Sequence, residues 1–160
     1  MPAKPVEIPK QKEVLIYTDG ACDPNPGIGG WAAILIHPET GVKTEITGAE
    51  LESTNNRMEL TAAIEALSRL KQPCDVTLYT DSEYVKNAFT NGWLTAWQKR
   101  GWKTADKKPV KNQDLWLKLL KAAEKHRIVW MWIRGHNVDV NNNRCDELAV
   151  EARRKMAQTA

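Results

Sequence analysis

Four acidic side chains stand where the chain changes its local pattern. Asp19 closes an apolar run that begins at Val14, Asp81 closes another that begins at Val76, Asp146 opens a helical stretch near the C-terminus, and Glu59 lies in the first turn of an earlier helical stretch. Carboxylates gathered at one place repel one another and are costly to ionise together. A divalent cation relieves that cost, and a ligand set made only of oxygen selects hard ions such as Mg2+, which keep waters and borrow phosphate oxygens from a substrate. Two such ions about 4 Å apart can activate a water on one side of a phosphodiester and stabilise the leaving oxygen on the other. Asp also suits turns, and an acid suits a helix N-terminus. Spacing by itself therefore leaves both readings open and does not establish that the four converge.

Positioning them is a matter of the elements between. Residues 14–19 (VLIYTD), 31–37 and 42–50 read as strands joined by turns at 23–30 (DPNPGIGG) and 38–41, which favours antiparallel hairpins. The period then changes. Leu60, Ala63, Ile64, Leu67 and Leu70 fall at helical spacing over 58–70, with Ser53, Thr54 and Asn55 as candidate N-caps and Pro73 beyond the end. A fourth strand over 76–80 is followed by a helix that Ser82 can cap and that Asn91-Gly92 breaks. A short helix around 94–99, an amphipathic helix over 112–126, a fifth strand over 128–133 (IVWMWI), a polar loop over 135–143 and a helix over 146–157 complete the chain. The order βββ-α-β-α-α-α-β-α predicts an α/β fold: a five-stranded mixed sheet with helices on both faces. Strands one, four and five can then be neighbours, and ligands in such sheets sit near the carboxyl ends of the parallel strands.

A length of 160 residues fits one domain, expected over 14–160, and 42% hydrophobic residues exclude a disordered chain. No apolar run is long enough to cross a bilayer. Residues 1–13, rich in Pro and Lys and without an apolar core, read as a mobile tail and not as a secretory signal, which predicts a cytoplasmic protein. Cys22, Cys74 and Cys145 lack metal-cage spacing and are expected as free thiols. Between Gln98 and Lys111 lie six basic residues and one acid, with Trp102 among them and Trp93 and Trp97 just before. One-signed charge with interleaved aromatics fits a nucleic-acid surface, and it equally fits a solvated basic loop.

The segments TDGACDPNPGIGG (18–30), TNNRMEL (54–60), TDSEYV (80–85), KRGWKTADKKPVKN (99–112) and RGHNVDVNNNRCDELA (134–149) resemble, in this order, the motifs of type 1 ribonuclease H in its cellular, bacterial form. Several long motifs in one order are far more specific than any single short pattern. The resemblance covers nearly the whole chain and implies a ribonuclease H-like fold. It implies an endonuclease that cuts the RNA strand of RNA–DNA hybrids with two Mg2+ ions, replaceable by Mn2+, leaving 5′-phosphate and 3′-hydroxyl ends. By motif, Asp19, Glu59, Asp81 and Asp146 match the metal ligands, and His136 matches a loop histidine that assists proton transfer or product release. Cys22, Asn25, Asn55, Asn56 and Glu83 match positions lining the minor groove, partly through backbone groups. Thr54, Trp93 and Trp97 match the surface that grips the DNA strand. Lys99, Arg100, Trp102 and Lys103 belong to the stretch matching a basic protrusion. Trp116, Trp130 and Trp132 read as core.

Two positions depart from the family's pattern. Val138 stands where many relatives carry Gly, and Asn143 where many carry Glu. Val resists positive φ, so a different loop path is expected, and a carboxylate near the metals is missing. The resemblance implies a monomer that needs no protein partner and no membrane. Other enzymes on this scaffold, such as transposases, integrases or DNA exonucleases, and a non-catalytic hybrid-binding module are the competing readings.

Overall fold

The computed structural model describes residues 11–134 and 139–159. Along them run β1 (Lys12–Cys22), β2 (Gly27–Ile36), β3 (Lys43–Ser53), α1 (Asn55–Ser68), β4 (Cys74–Thr80), α2 (Glu83–Thr90), α3 (Trp93–Lys99), α4 (Gln113–Ala123), β5 (Arg127–Trp132) and α5 (Val140–Thr159). This is the expected order. The sheet runs β3-β2-β1-β4-β5. β2 pairs antiparallel with both β1 and β3, while β4 joins β1 and β5 joins β4 in parallel. Parallel neighbours need long crossovers, and these are supplied by α1 and by α2–α4.

Alternation along the strands divides the interior. Val14, Ile16, Val76 and Leu78 face Leu60, Ala63 and Leu67 of α1 and Trp116 and Leu119 of α4. On the opposite face, Tyr17, Ala32, Ile34 and Ile36 meet Cys145, Leu148 and Ala149 of α5. Helices thus cover both faces. α1 starts where Thr54 accepts a hydrogen bond from the Arg57 amide through its side chain, at 3.1 Å, which satisfies one of the amides left unpaired at a helix start. Its buried Ala62, Ala63 and Ala66 let it lie close to the sheet. α2 starts in the same way, with Ser82 accepting from the Val85 amide at 3.2 Å. The Asn91-Gly92 break also holds: Gly92 has φ +71 and leads directly into α3.

The structure corrects several boundaries. β1 starts at Lys12, so residues 12 and 13 belong to the sheet and not to the tail, and it continues three residues past Asp19. α1 starts at Asn55, which puts Glu59 beyond its first turn. α5 starts at Val140, so Asn141–Asn143 are helical and Asp146 lies in the helix's second turn instead of opening it. Asn is a poor helix former, but the Asp139 carboxylate accepts from the amides of Asn141 and Asn142 and carries the helix start past them. Trp116 is fully buried, whereas Trp130 and Trp132 are half-buried. They sit on an edge strand with the core on one side only; Trp130 stacks on Phe89 and Trp132 lies under the Lys86 ammonium. The three cysteines are buried free thiols. Residues 1–10 and 135–138, including His136 and Val138, lie outside the described residues. No helix among the described residues is long and apolar enough to cross a membrane.

Candidate active site

β1 and β4 are adjacent and parallel, with Tyr17 level with Tyr79. Asp19 and Asp81, each two residues further on, therefore reach the same end of the sheet. α1 brings the third acid. It can do so because Gly20 has no side chain: a Cβ there would lie 2.7 Å from the backbone of Met58 and Glu59. As a result Asp19, Glu59 and Asp81 each offer a carboxylate oxygen within 4.8 Å of the others. Asp146 approaches from α5, exposed, outside that tight group. Its charge still bears on Asp19.

The grouping has an electrostatic consequence. Asp19 is only 3% exposed. Burial first, then the charge of Asp81, pushes its carboxyl up to about 8, against the pull of hydrogen bonds from Glu59 and the Gly20 amide. Burial and the charges of Asp19 and Asp81 likewise hold Glu59 well above the ordinary carboxylate range. Glu59 is half-exposed as a whole residue, but its Oε2 is buried and has no hydrogen-bond partner. An acceptor left bare in the interior is costly. These residues fit a divalent cation: the donors are all carboxylate oxygens, they converge, and one of them lacks any other partner.

Three of the expected groove residues, Cys22, Asn25 and Asn55, are joined around one turn. The Asn55 side chain accepts from the Cys22 amide at 2.7 Å, and the Asn25 side chain accepts from the Asn55 amide at 3.2 Å. Asn25, Asn56 and Glu83 are exposed. Cys22 is not: its thiol is buried and donates to the carbonyls of Pro24 and Ser53. The side chain of Cys22 therefore shapes the turn and offers nothing outward. Thr54 spends its hydroxyl oxygen on the α1 cap.

Between α3 and α4 the chain folds on itself through bonds from the Trp102 amide to Trp97, from Thr104 to Lys108 and from Val110 to Trp102. Lys99, Arg100 and Lys103 are exposed. Trp93, Trp97 and Trp102 are half-buried, each ring beside the next at 6.0 and 6.3 Å, and Trp97 lies 5.7 Å from Trp116 in the core. The aromatics thus root the basic segment in the interior, and each remains partly exposed. Gly20, beside α1, and Asp139, at the start of α5, hold places to which the motif match assigns no role. A glycine inside a strand is a signal of close backbone approach, which would have found the first.

Comparison with known proteins agrees with this arrangement. The family profile described as RNase H matches residues 11–154. A curated ribonuclease H of Moorella thermoacetica is 56% identical over 138 residues, 86% of this chain and 90% of that one. Among solved structures, LC9-RNase H1, a type 1 enzyme with the type 2 active-site motif, superposes with a TM-score of 0.82 at 30% identity, over 94% of this chain and 75% of the other. LC11-RNase H1, solved in complex with an RNA/DNA hybrid, superposes with a TM-score of 0.67 at 25% identity, over 90% of this chain and 99% of the other. Converging carboxylates, the sheet order and the match along nearly the whole sequence lead to one conclusion: this chain belongs to the ribonuclease H family.

Proposed function

We propose that the protein hydrolyses phosphodiester bonds within the RNA strand of RNA–DNA hybrids, with Asp19, Glu59, Asp81 and Asp146 holding two Mg2+ ions, and leaves 5′-phosphate and 3′-hydroxyl ends. The observation that carries this reading is the set of three carboxylates within 4.8 Å in a chain of a nuclease family. The chemistry such ions supply is Lewis acidity on either side of the scissile phosphorus. Mn2+ accepts the same oxygen ligands and substitutes. Asp19, Glu59 and Asp81 bind from β1, α1 and the end of β4, and Asp146 binds from α5. His136 assists proton transfer or product release, imidazole being the side chain able to carry a proton either way near neutral pH.

Asn25, Asn55, Asn56, Glu83 and the backbone at Cys22 line the minor groove, where contact with the 2′-hydroxyl separates RNA from DNA. Thr54, Trp93 and Trp97 take the DNA strand; an apolar ring face tolerates deoxyribose and disfavours a 2′-hydroxyl. Lys99, Arg100 and Lys103, with Trp102 beside them, meet phosphates without regard to sequence. The unit that does this is one domain from β1 to α5, working as a monomer in the cytoplasm.

The deciding experiment is cleavage of an end-labelled RNA–DNA hybrid in Mg2+ and in EDTA, beside RNA duplex, DNA duplex and single-stranded RNA. Metal-dependent internal cuts confined to the hybrid's RNA are expected. Binding without cutting would overturn the enzymatic reading, and cutting of DNA duplex would overturn the substrate. His136→Ala is expected to slow turnover with cleavage still detectable; an unchanged rate would remove His136 from the reaction.

A further inference from the structure

The sheet face under α5 carries a polar contact outside the carboxylate cluster. Tyr17 on β1 and Tyr79 on β4 are register partners, and their rings stack with centroids 4.5 Å apart and planes 8° apart. Period two along β1 puts Tyr17 on the same face as Asp19. The Tyr17 hydroxyl donates to Oδ2 of Asp139 at 3.3 Å. The other oxygen of that carboxylate, Oδ1, accepts from the amides of Asn141 and Asn142 at 2.9 and 3.0 Å. One side chain thus caps α5 and ties the cap to the strand that carries Asp19.

Asp139 lies roughly 10 Å along the helix axis from Asp146, at about 1.5 Å per residue. Between them Cys145 donates its thiol to the carbonyls of Tyr17 and Ala32, at 3.6 and 3.2 Å. That contact pins the helix at one level against β1 and β2. A second contact, a turn and a half away, is needed to stop the helix from pivoting about the first. Lys43 to Asn141 and Arg144 to Glu45 also reach the first turns of α5, but they are exposed and lead to β3, which carries none of the acids. The Tyr17–Asp139 bond leads to β1 itself.

We propose that Asp139 and Tyr17 are positioning residues for the metal site: together they set the pivot of α5 and so the place of Asp146 relative to Asp19. This rests on the metal-binding reading above. Neither residue needs to touch metal or substrate. Asp139 lies between Val138 and Asn143, the two positions at which this chain departs from the family's pattern.

The test is calorimetric titration of Mg2+ into the full chain without substrate, at a temperature well below the unfolding of each variant, together with kcat and KM for a hybrid at saturating Mg2+. Asp139→Ala is expected to weaken Mg2+ binding roughly tenfold, the low end for outer-shell partners of metal sites, with KM for the hybrid unchanged. Asp139→Asn keeps an acceptor for the two amides and is expected to recover most of the affinity. Tyr17→Phe keeps the stacked ring and is expected to weaken binding measurably but less than Asp139→Ala, because the cap on α5 remains. Wild-type Mg2+ affinity in Asp139→Ala, even with a lowered Tm, would reduce Asp139 to a helix cap and overturn the proposal. Should Asp139→Ala fail to fold, Tyr17→Phe decides, and unchanged affinity there overturns it. Asp19→Asn separates the two levels. If it binds Mg2+ like the wild type, the metal reading fails and the proposal with it. If it loses Mg2+ while Asp139→Ala does not, only the positioning role fails.

Discussion

Asp19, Glu59 and Asp81, from β1, α1 and the residue after β4, bring carboxylate oxygens within 4.8 Å of one another. Lys99, Arg100, Lys103, Lys107, Lys108 and Lys111 are spread over an exposed segment and enter no ion pair given among the described residues. The two regions carry charge on opposite physical terms. Like charges brought together out of water destabilise the fold, and only a rigid core holds them there; the raised carboxyls of Asp19 and Glu59 are the sign of that cost. Cations in water cost little and need no exact position. The first region should thus respond to single atoms and to pH, the second to the number of charges and to salt.

The sharpest way to break this contrast is Asp19→Asn. Losing one ligand of a site that supplies several kcal/mol of charge stabilisation is expected to slow hybrid cleavage roughly a thousandfold, at about 1.4 kcal/mol per tenfold, with circular dichroism unchanged. Cleavage at the normal rate would mean that the acids are not the metal site. On the basic side, Lys103→Ala/Lys107→Ala is expected to weaken hybrid binding about tenfold at moderate salt. It should also flatten the plot of log K against log[salt] by about 1.5 units, at roughly 0.7–0.9 per phosphate contact, and leave kcat alone. A slope that does not move would return the segment to a solvated loop.

The same Asp19→Asn variant tests the cost of the crowding. The Asp19 carboxyl is pushed up to about 8 in the folded protein, against an ordinary value near 3.9 in the unfolded chain. Because the folded value is the higher one, the unfolded state gives up its proton first. Wild-type stability then falls as pH rises from about 4 to about 8. Asn does not titrate, so in EDTA the variant is expected to melt several degrees above wild type at pH 8 and level with it at pH 4. Mg2+ should reverse the order at pH 8. Gly20→Ala is expected to cost about 1–3 kcal/mol by overpacking, because its Cβ would meet the Met58 and Glu59 backbone at 2.7 Å. At the low end, Lys121→Ala removes an exposed pair with Glu124 and is expected to change stability by less than about 0.5 kcal/mol. A larger effect would show that exposed charge on this fold is not cheap.

Helix starts were the most legible part of the fold, because Thr54 and Ser82 sit next to the amides they cap. The element order was legible for a similar reason: periods of two and of 3.6 are local. The exceptions have identifiable causes. Asn141–Asn143 read as loop because propensity is local, while the Asp139 cap that overrides it is moored to Tyr17 on a distant strand. Cys22 matches an expected groove position but turns its thiol inward, onto the carbonyls of Pro24 and of Ser53 on β3. Trp132 has the run of a core strand around it, yet half of it faces out because β5 is an edge, and edge position is a property of the whole sheet.

By itself the sequence determined which residues are proposed to bear the chemistry. It picked out the carboxylates, the asparagines around 25 and 55 and the cations between α3 and α4, because motif identity and spacing are properties of the chain. Only the tertiary structure decided that Asp19, Glu59 and Asp81 meet within 4.8 Å while Asp146 stands apart at the rim. That outcome depends on parallel pairing of β1 with β4, on the missing side chain at Gly20 that lets α1 approach, and on how α5 is moored. Each is a contact between segments far apart along the chain, and burial raises the carboxyls of Asp19 and Glu59 only once those contacts exist.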